Sequence, residues 1–408
     1  MTPNGKTDAD VAIVGGGVAG STMGAVLARA GLNVIVIERE AEFRDKVRGE
    51  GIHPWGYREA KRLGLDSAFA AAGAVELPVW QTYTNRVPDE PSLWAEDQTN
   101  GLPEVTVFHP ALQDALLAYA AEQGARIFRP AQAISLYPGR PSVLDVRVDD
   151  RRYELAARLV IGADGRTSQV RKWIGARTES DPMHHMFGGA RLAGADLPEG
   201  ATHGTTFPGG RMFAFPQGNG FARAYLVGQP ELLRPLQGAT HRDAYVEFCA
   251  SVLPSGILDN ASPVGPVAFF PNNDIWSSNL AAEQVILIGD AAGANDPSVG
   301  QGLSLVFRDV RILSDLLLNE RDWPHVIHAF AEQRTAYFDV LRQHAKWFAQ
   351  LLIDTGPSAD ALRAQVAHAR EQDPTAGGFA TIFSRGPDGL VADEPARRHF
   401  FGEDLSVR

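Results

Sequence analysis

Asp10-Val-Ala-Ile-Val-Gly-Gly-Gly-Val-Ala-Gly20 joins a short apolar run to a glycine-rich turn. The residues that follow, 23–31, have helical periodicity with small residues on one face, and a second apolar run over 33–37 ends at Glu38. This order predicts a strand, a tight turn, a helix and a second strand, which together form one βαβ unit of a parallel sheet.

The glycine spacing in this turn has a physical reason at each position. Gly15 permits the tight turn, Gly17 lets the backbone approach a pyrophosphate, and Gly20 lets the helix pack closely on the strand. The free N–H groups at the helix start, around Ala19, then face the phosphates. Glu38 stands where a carboxylate accepts hydrogen bonds from an adenosine ribose. The pattern predicts a bound dinucleotide, NAD or FAD; a glycine-rich turn followed by an exposed Glu is the alternative.

Composition excludes several classes of protein. The chain has 408 residues with 49 acidic and 38 basic side chains, a formal net charge of -11, which argues against a nucleic-acid partner. No apolar run is long enough to span a membrane and the start has no secretion signal, so we expect a cytoplasmic location. Cys249 is the one cysteine and has apolar neighbours, so we expect a buried structural thiol. Redox chemistry then requires a bound cofactor.

The order of predicted elements divides the chain into alternating segments. A dinucleotide-binding domain is expected in three parts, 1–74, 108–181 and 277–322. Proline-interrupted and aromatic-rich strands over 75–107 and 182–276 predict a mainly antiparallel substrate domain, and 323–408 a helical region. Within these segments we expect helices over 110–124 and 324–354, and strands over 126–128, 143–148 and 155–161.

A hairpin is predicted where residues 211–217 and 221–227 can pair across Gly218-Asn219. With the turn there, Phe213 and Phe215 are expected on one face and Tyr225 on the opposite face. One of the two faces should roof the substrate pocket.

Two more apolar strands end in characteristic dipeptides. Residues 159–168 end in Asp164-Gly165 with a short polar continuation, and residues 285–292 contain Gly289-Asp290. Together with the glycine-rich turn, these stretches resemble the fingerprints of the class A FAD-dependent monooxygenases, the aromatic hydroxylases with the p-hydroxybenzoate hydroxylase-like fold. Pro297-Ser-Val-Gly300-Gln-Gly302-Leu303 is similar to the flavin-contact loop of that family. The fold this resemblance implies is α/β, a Rossmann-like FAD-binding domain with a mainly antiparallel β-sheet substrate domain and C-terminal helices.

The resemblance also implies a cofactor site. Asp290 at a strand end can accept hydrogen bonds from ribityl hydroxyls, and Gly300 and Gly302 let backbone N–H groups approach the pyrimidine side of the flavin. Arg48 matches a family arginine that holds a phosphate or ribityl oxygen. The full set of expected cofactor-binding residues is Gly15, Gly17, Ala19, Gly20, Glu38, Arg39, Arg48, Gln113, Asp164, Gly289, Asp290, Pro297, Gly300, Gly302 and Leu303. For Gln113 a solvated helix face is the alternative.

Three positions depart from the family pattern. Gly293 stands where the family usually has His, Ser304 where it has Asn, and His109 where an Arg is expected. These departures leave the flavin site in place, but they bear on the fine placement of the isoalloxazine and on any transfer of substrate specificity from the family.

The activity implied by the resemblance uses NAD(P)H as a transient reductant, FAD as resident cofactor and O2 as co-substrate. A C4a-hydroperoxyflavin would oxygenate a flat, mainly hydrophobic, aromatic or polyketide-like small molecule. The candidate substrate-binding residues are Phe213, Phe215, Tyr225 and Phe270. His53 is the candidate catalytic acid or base, and a structural histidine is the alternative. His325, His328 and His344 lack carboxylate companions, so we expect no metal.

Other functions stay open at this point. A flavin-dependent halogenase would show chloride-dependent product, and a flavin-dependent double-bond reductase would turn over without oxygen. A non-enzymatic partner-binding protein on the same scaffold would purify colourless. The sequence does not predict the oligomeric state.

Overall fold

The computed structural model describes residues 7–93 and 101–406. Its strands are Ala9–Val14 (β1), Val34–Ile37 (β2), Gly51–Ile52 (β3), Val75–Leu77 (β4), Val79–Thr84 (β5), Val87–Pro88 (β6), Ser92–Leu93 (β7), Glu104–Thr106 (β8), Arg126–Phe128 (β9), Ala131–Tyr137 (β10), Ser142–Val148 (β11), Arg151–Gly162 (β12), Thr178–Ser180 (β13), His185–Ala193 (β14), Ala201–Phe207 (β15), Gly210–Pro216 (β16), Phe221–Gly228 (β17), Ser262–Asn272 (β18), Ile275–Ser277 (β19), Ala281–Ala282 (β20), Val285–Leu287 (β21) and Gly293–Ala294 (β22).

The helices follow the same chain order. They are Val18–Arg29 (α1), Pro54–Arg62 (α2), Asp66–Ala71 (α3), His109–Glu122 (α4), Gln169–Trp173 (α5), Pro230–Leu233 (α6), Arg242–Val252 (α7), Gly302–Asn319 (α8), Trp323–Leu352 (α9), Pro357–Gln372 (α10), Phe379–Ser384 (α11) and Glu394–Phe400 (α12).

The predicted βαβ unit forms the centre of the first sheet. Strand β1 pairs in parallel with β2 on one side and β12 on the other, and β12 pairs in parallel with β21. The full path is β10-β11-β12-β1-β2-β9, in which β10, β11 and β12 are antiparallel neighbours. The carboxyl ends of β1, β12 and β21 therefore meet at one edge, where the glycine-rich turn, Asp164 and Asp290 follow the three strands.

A second large sheet carries the aromatic-rich strands. Its path is β18-β14-β17-β16-β15-β5-β6, antiparallel throughout except where β15 runs parallel to β5. The predicted fold class, α/β with a mainly antiparallel sheet and C-terminal helices, is confirmed. Helices α4 and α9 lie within two residues of the predicted limits, whereas strand β10 was not predicted.

The hairpin of β16 and β17 forms, but the predicted faces were wrong. The connection is longer than a two-residue turn, since Pro216 pairs with Ala222 and Phe213 pairs with Tyr225. That shift of one residue moves one strand's side chains to the opposite face. Phe213, Phe215 and Tyr225 therefore share one face, and Met212 and its neighbours on the other face pack on α7.

The burial of Cys249 was a further expectation. Cys249 on α7 is fully buried, and burial raises the pKa of its thiol to about 12, as expected for a structural cysteine. Within residues 7–93 and 101–406, no helix combines the length and the apolarity needed to span a bilayer.

Candidate active site

One cleft collects the residues that the sequence motifs singled out. Every predicted cofactor-binding residue except Gly20 and Gly289 lines it, and so does His53. The predicted substrate residues Phe213, Phe215, Tyr225 and Phe270 line the same cleft. Residues far apart in sequence thus meet in one continuous space.

The start of α1 offers the cleft an anion-binding surface. Gly17 is the N-cap of this 12-residue helix, and no side chain caps it. A Cβ atom at position 17 would approach only Gln113 Nε2, at 3.5 Å, so the backbone here is open to a ligand. Uncapped N–H groups at a helix N-terminus favour a phosphate. This local geometry fits the diphosphate of FAD.

Gly20 and Gly289 act by close packing. A Cβ atom at position 20 would lie 1.8 Å from the Gly15 carbonyl oxygen, and one at position 289 would lie 3.1 Å from Ala19 Cβ. Gly289 also has a left-handed backbone, with φ of 57°. These two glycines bring the first turn of α1 against the turn that carries Asp290, close enough for one extended molecule to touch both.

Glu38 and Asp164 are held by their own neighbourhood. Glu38 Oε2 accepts a hydrogen bond from the Gly16 N–H at 2.7 Å, which fixes the glycine-rich turn to the end of β2. Asp164 Oδ1 accepts from Ser168 Oγ at 2.5 Å and its Oδ2 from the Gln169 N–H at 2.6 Å. The Asp164 carboxylate therefore shapes the start of α5, while direct cofactor contact stays a prediction for both residues.

The loop that precedes α8 also lines the cleft. Gly300 has a left-handed backbone with φ of 64°, and Gly302 has no atom within 4 Å of a Cβ position. The 18-residue helix α8 begins at Gly302 without a side-chain cap. A second helix N-terminus thus faces the cleft, suited to the negative charge that reduced flavin carries.

Arg48 and Asp290 both line the cleft and lie close together. Arg48 Nη1 lies 3.9 Å from Asp290 Oδ2, and both side chains are partly exposed. Asp309 on α8 supports the Asp290 turn, since it accepts the Gly289 N–H at 2.8 Å and the Tyr337 hydroxyl at 2.5 Å. The turn is therefore fixed by a buried carboxylate that sequence reasoning missed.

A buried charge group, which we call the anchor cluster, ties the loop after β2 to the antiparallel sheet. It comprises Asp45, Glu50, Gln217 and Arg223. Arg223 Nε lies 2.7 Å from Glu50 Oε2 and its Nη2 lies 2.7 Å from Asp45 Oδ2. Gln217 Nε2 also donates to Glu50 Oε2. Arg223 and Glu50 are fully buried, so the cluster fixes the loop that carries Arg48.

Sequence reasoning missed the anchor cluster, although one signal was available. Arg223 stands between Ala222 and Ala224 in an otherwise apolar strand, a position where an arginine requires a buried partner. Tyr225, predicted to touch substrate, donates its hydroxyl to the Arg48 carbonyl. Its ring still lines the cleft, so a substrate contact stays a prediction.

An aromatic chamber opens from the cleft beneath the antiparallel sheet. We define it by Trp80, Phe187, Phe213, Phe215, Tyr225, Phe270 and Phe383. Phe187 contacts Tyr225 and Phe270, with ring centroids 4.8 and 5.6 Å apart. Phe383 comes from the C-terminal α11, which the sequence did not connect with the site. The chamber walls suit a flat apolar ligand.

A second buried polar group surrounds the turn at Asp296. His184 Nδ1 lies 2.6 Å from His185 Nδ1, and His185 Nε2 lies 3.5 Å from Asp296 Oδ2. These three side chains have potential metal-ligand atoms within 4.8 Å of one another. The two Nδ1 atoms, 2.6 Å apart, are at hydrogen-bond distance. They are closer than the roughly 3.3 Å at which tetrahedral zinc would hold two nitrogens, so these two atoms do not form a pair of zinc ligands in this arrangement.

Asp274 beside this group is expected to make stability depend on pH. Burial, and then the charge of Asp296, raise the pKa of Asp274 from 3.8 to about 7. Between these values the unfolded carboxyl ionises while the folded one keeps its proton, so stability falls as pH rises. Asp274→Asn keeps an acceptor for the Asp296 N–H and does not titrate. The variant should therefore gain at least about 1 kcal/mol relative to the parent chain between acidic and neutral pH.

Thermal unfolding across that pH range checks this expectation. Asp259→Asn, at an exposed position, is the matched control. A difference between Asp274→Asn and the parent that stays constant with pH would contradict it.

Comparison with known proteins agrees with this geometry. Squalene monooxygenase of Mus musculus is 25% identical over 349 residues, 83% of this chain, and the chain spans 60% of that protein's length. Digeranylgeranylglycerophospholipid reductase 1 of Methanococcoides burtonii is 25% identical over 312 residues, 73% of this chain and 72% of that protein.

Solved structures share the fold. p-Nitrophenol 4-monooxygenase PnpA of Pseudomonas putida superposes with a TM-score of 0.77 at 19% identity, covering 98% of both chains. The sequence profile of the FAD binding domain family matches residues 8–334, a range that includes the glycine-rich turn, Asp164 and the Asp290 turn. The chain therefore belongs to the FAD binding domain family, and its cofactor is FAD.

Proposed function

We propose that the protein is an FAD-dependent monooxygenase that uses NAD(P)H and O2 to oxygenate a flat, mainly hydrophobic small molecule, aromatic or polyketide-like. The observation that carries this proposal is the single cleft shared by the cofactor-binding motifs and the aromatic chamber. His53 connects the two. Its Nε2 lies 3.0 Å from the Val299 carbonyl oxygen in the loop before α8 (297–301), which we call the flavin loop, and its ring centroid lies 4.7 Å from that of Phe383. The names of squalene monooxygenase and PnpA agree with this chemistry.

Different residues of the cleft would have different roles. The start of α1 would hold the diphosphate and Asp290 the ribityl chain, with Arg48 beside it. FAD, when bound, would supply electron transfer from NAD(P)H and the activation of O2. The aromatic chamber would bind the substrate and exclude water, which limits the loss of reduced oxygen as peroxide. The anchor cluster would keep the Arg48 loop in place.

The proposal makes a direct prediction for the purified protein. We expect a yellow protein with a flavin spectrum, and NAD(P)H consumption in air that increases when a suitable phenolic or polycyclic compound is added. With isotopically labelled O2, one labelled oxygen atom should appear in the product. Consumption of NAD(P)H with a product that carries no label would contradict oxygenation.

A double-bond reductase is the second candidate, because a curated relative is named a digeranylgeranylglycerophospholipid reductase. An apolar chamber beside a flavin also suits a polyprenyl chain. Turnover without O2 that yields a saturated product would favour this reaction over oxygenation.

A halogenase and a partner-binding protein have weaker support. Of the lysines in the described part of the chain, only Lys46 lines the cleft, and its Nζ lies 3.3 Å from Glu40 Oε1. A halogenase with an active-site lysine is thus disfavoured, and chloride-dependent product would revive it. A protein that stays colourless after reconstitution with FAD would indicate a partner-binding role.

A further inference from the structure

Glu104 lies at the floor of the cleft and is fully buried. Its Oε1 lies 3.0 Å from His53 Nδ1, and its Oε2 accepts a hydrogen bond from Thr202 Oγ1 at 2.5 Å. The His53 side chain is itself 7% exposed. A carboxyl group and an imidazole thus form one buried contact beside the flavin loop.

Two contacts of the His53 ring indicate where its hydrogens lie. Nε2 lies 3.0 Å from the Val299 carbonyl oxygen, which can only accept, so this nitrogen carries a hydrogen. Nδ1 faces the Glu104 carboxyl. A neutral ring with its hydrogen on Nε2 would leave the Nδ1 lone pair 3.0 Å from a carboxylate oxygen, which is repulsive. At this ion-pair distance the favourable states give the pair one further proton, either as imidazolium with carboxylate or as imidazole with carboxylic acid.

Neighbouring residues hold the ring in this position. A Cβ atom at Gly300 would lie 2.7 Å from His53 Nε2, so only glycine leaves room for the ring beside the flavin loop. The Phe383 ring covers it from the chamber side, with centroids 4.7 Å apart. Because His53 and Glu104 both line the cleft, a proton held between them can reach a molecule bound there.

We propose that His53 and Glu104 form a buried pair that holds one exchangeable proton and delivers it to the reacting atoms in the cleft. This inference rests on the proposed function. Oxygenation converts NAD(P)H, one proton, O2 and substrate into NAD(P)+, oxygenated product and water. The pair takes that proton from solvent and releases it to the oxygen atom that leaves as water. Reduction of a double bond also consumes one proton together with the hydride, so the pair serves either reaction.

In this assignment His53 is the catalytic residue and Glu104 the positioning residue that keeps the extra proton on the pair. The Glu104→Gln variant removes the additional proton of the pair but keeps the packing of the side chain. The glutamine side chain has the same size, and its amide can donate a hydrogen bond to the Nδ1 lone pair of a neutral His53. The ring therefore stays in place while the shared proton is lost.

Two measurements test the inference. In proton NMR of the resting FAD-loaded enzyme, we expect a low-field resonance from the additional proton of the pair, absent in both His53→Gln and Glu104→Gln. We also expect Glu104→Gln to reduce product formation about 100-fold, with unchanged FAD content and unchanged anaerobic reduction of the flavin by NAD(P)H. Glu76→Gln, outside the cleft, and His328→Gln, exposed on α9, are the matched controls.

The outcomes separate this inference from the proposed function. A low-field resonance that disappears in both variants, together with slow product formation by Glu104→Gln, supports the pair. Normal product formation by Glu104→Gln, or the absence of the low-field resonance from the parent enzyme, overturns it. If no compound is oxygenated or reduced by a protein that shows the resonance, the proposed function fails and the shared proton stands.

Discussion

We expect the Arg223→Met variant to lose about 3–5 kcal/mol of unfolding free energy, the cost of removing one partner from a buried ion pair. Met fills much of the same volume, so the loss comes from the charges. Without Arg223, fully buried Glu50 and nearly buried Asp45 face each other uncompensated. Burial raises the pKa of Glu50 while the charge and hydrogen bonds of Arg223 oppose that rise, so the variant removes the main influences that keep Glu50 ionised.

Urea unfolding of the parent and variant measures the loss. Because the folded Glu50 of the variant holds its proton to higher pH than the unfolded chain does, the deficit should shrink as pH falls. Adding Glu50→Gln should recover part of it, since the fully buried charge is then gone. Arg397→Met, which breaks a surface pair with Glu394 and Glu403, should change stability far less. Equal losses at Arg223 and Arg397 would contradict the assignment of a buried, structural charge group.

Local backbone signals made much of the geometry of the candidate cofactor site predictable. The turn from Gly15 to Gly20 could be predicted from neighbouring residues alone. Each glycine in its motif meets one steric requirement within a single strand, turn and helix. Asp164 and Asp290 follow apolar strands directly, and parallel strands bring their carboxyl ends to one edge of a sheet. From these facts alone, the meeting of the three motifs could be expected.

Contacts between distant segments were not predictable from the sequence. Glu50 and Arg223 are separated by 173 positions. No local sequence pattern predicts which carboxylate will form an ion pair with a buried arginine. Glu104 lies on a three-residue strand whose position depends on β3 and β4. The face of Tyr225 depended on the number of residues in one turn, and a change of one residue reversed it. Phe383 reaches the chamber through the C-terminal helices, whose amphipathic pattern indicates burial but not a partner.

The Gly20→Ala variant is expected to bind FAD about 100-fold more weakly or worse, a difference of about 3 kcal/mol. The new methyl group would lie 1.8 Å from the Gly15 carbonyl oxygen and 3.1 Å from Ile13 Cγ2. The Gly15 backbone cannot move aside cheaply, since its N–H donates to the Ile37 carbonyl at 2.8 Å. The strain must instead push the first turn of α1 outward, which displaces the N–H groups expected to hold the diphosphate.

Flavin content after purification and titration of the apoprotein with FAD measure this effect. Gly24→Ala on the same helix is the matched comparison, because its methyl group would meet the Val36 Cγ2 side-chain atom at 2.8 Å and not the main chain. Gly24 also lies one turn further from the cleft, so this variant should lose stability and keep its flavin. If Gly20→Ala retained full flavin content while Gly24→Ala lost it, the cofactor would not depend on the first turn of α1. The diphosphate site assigned to that turn would then have to lie elsewhere in the cleft.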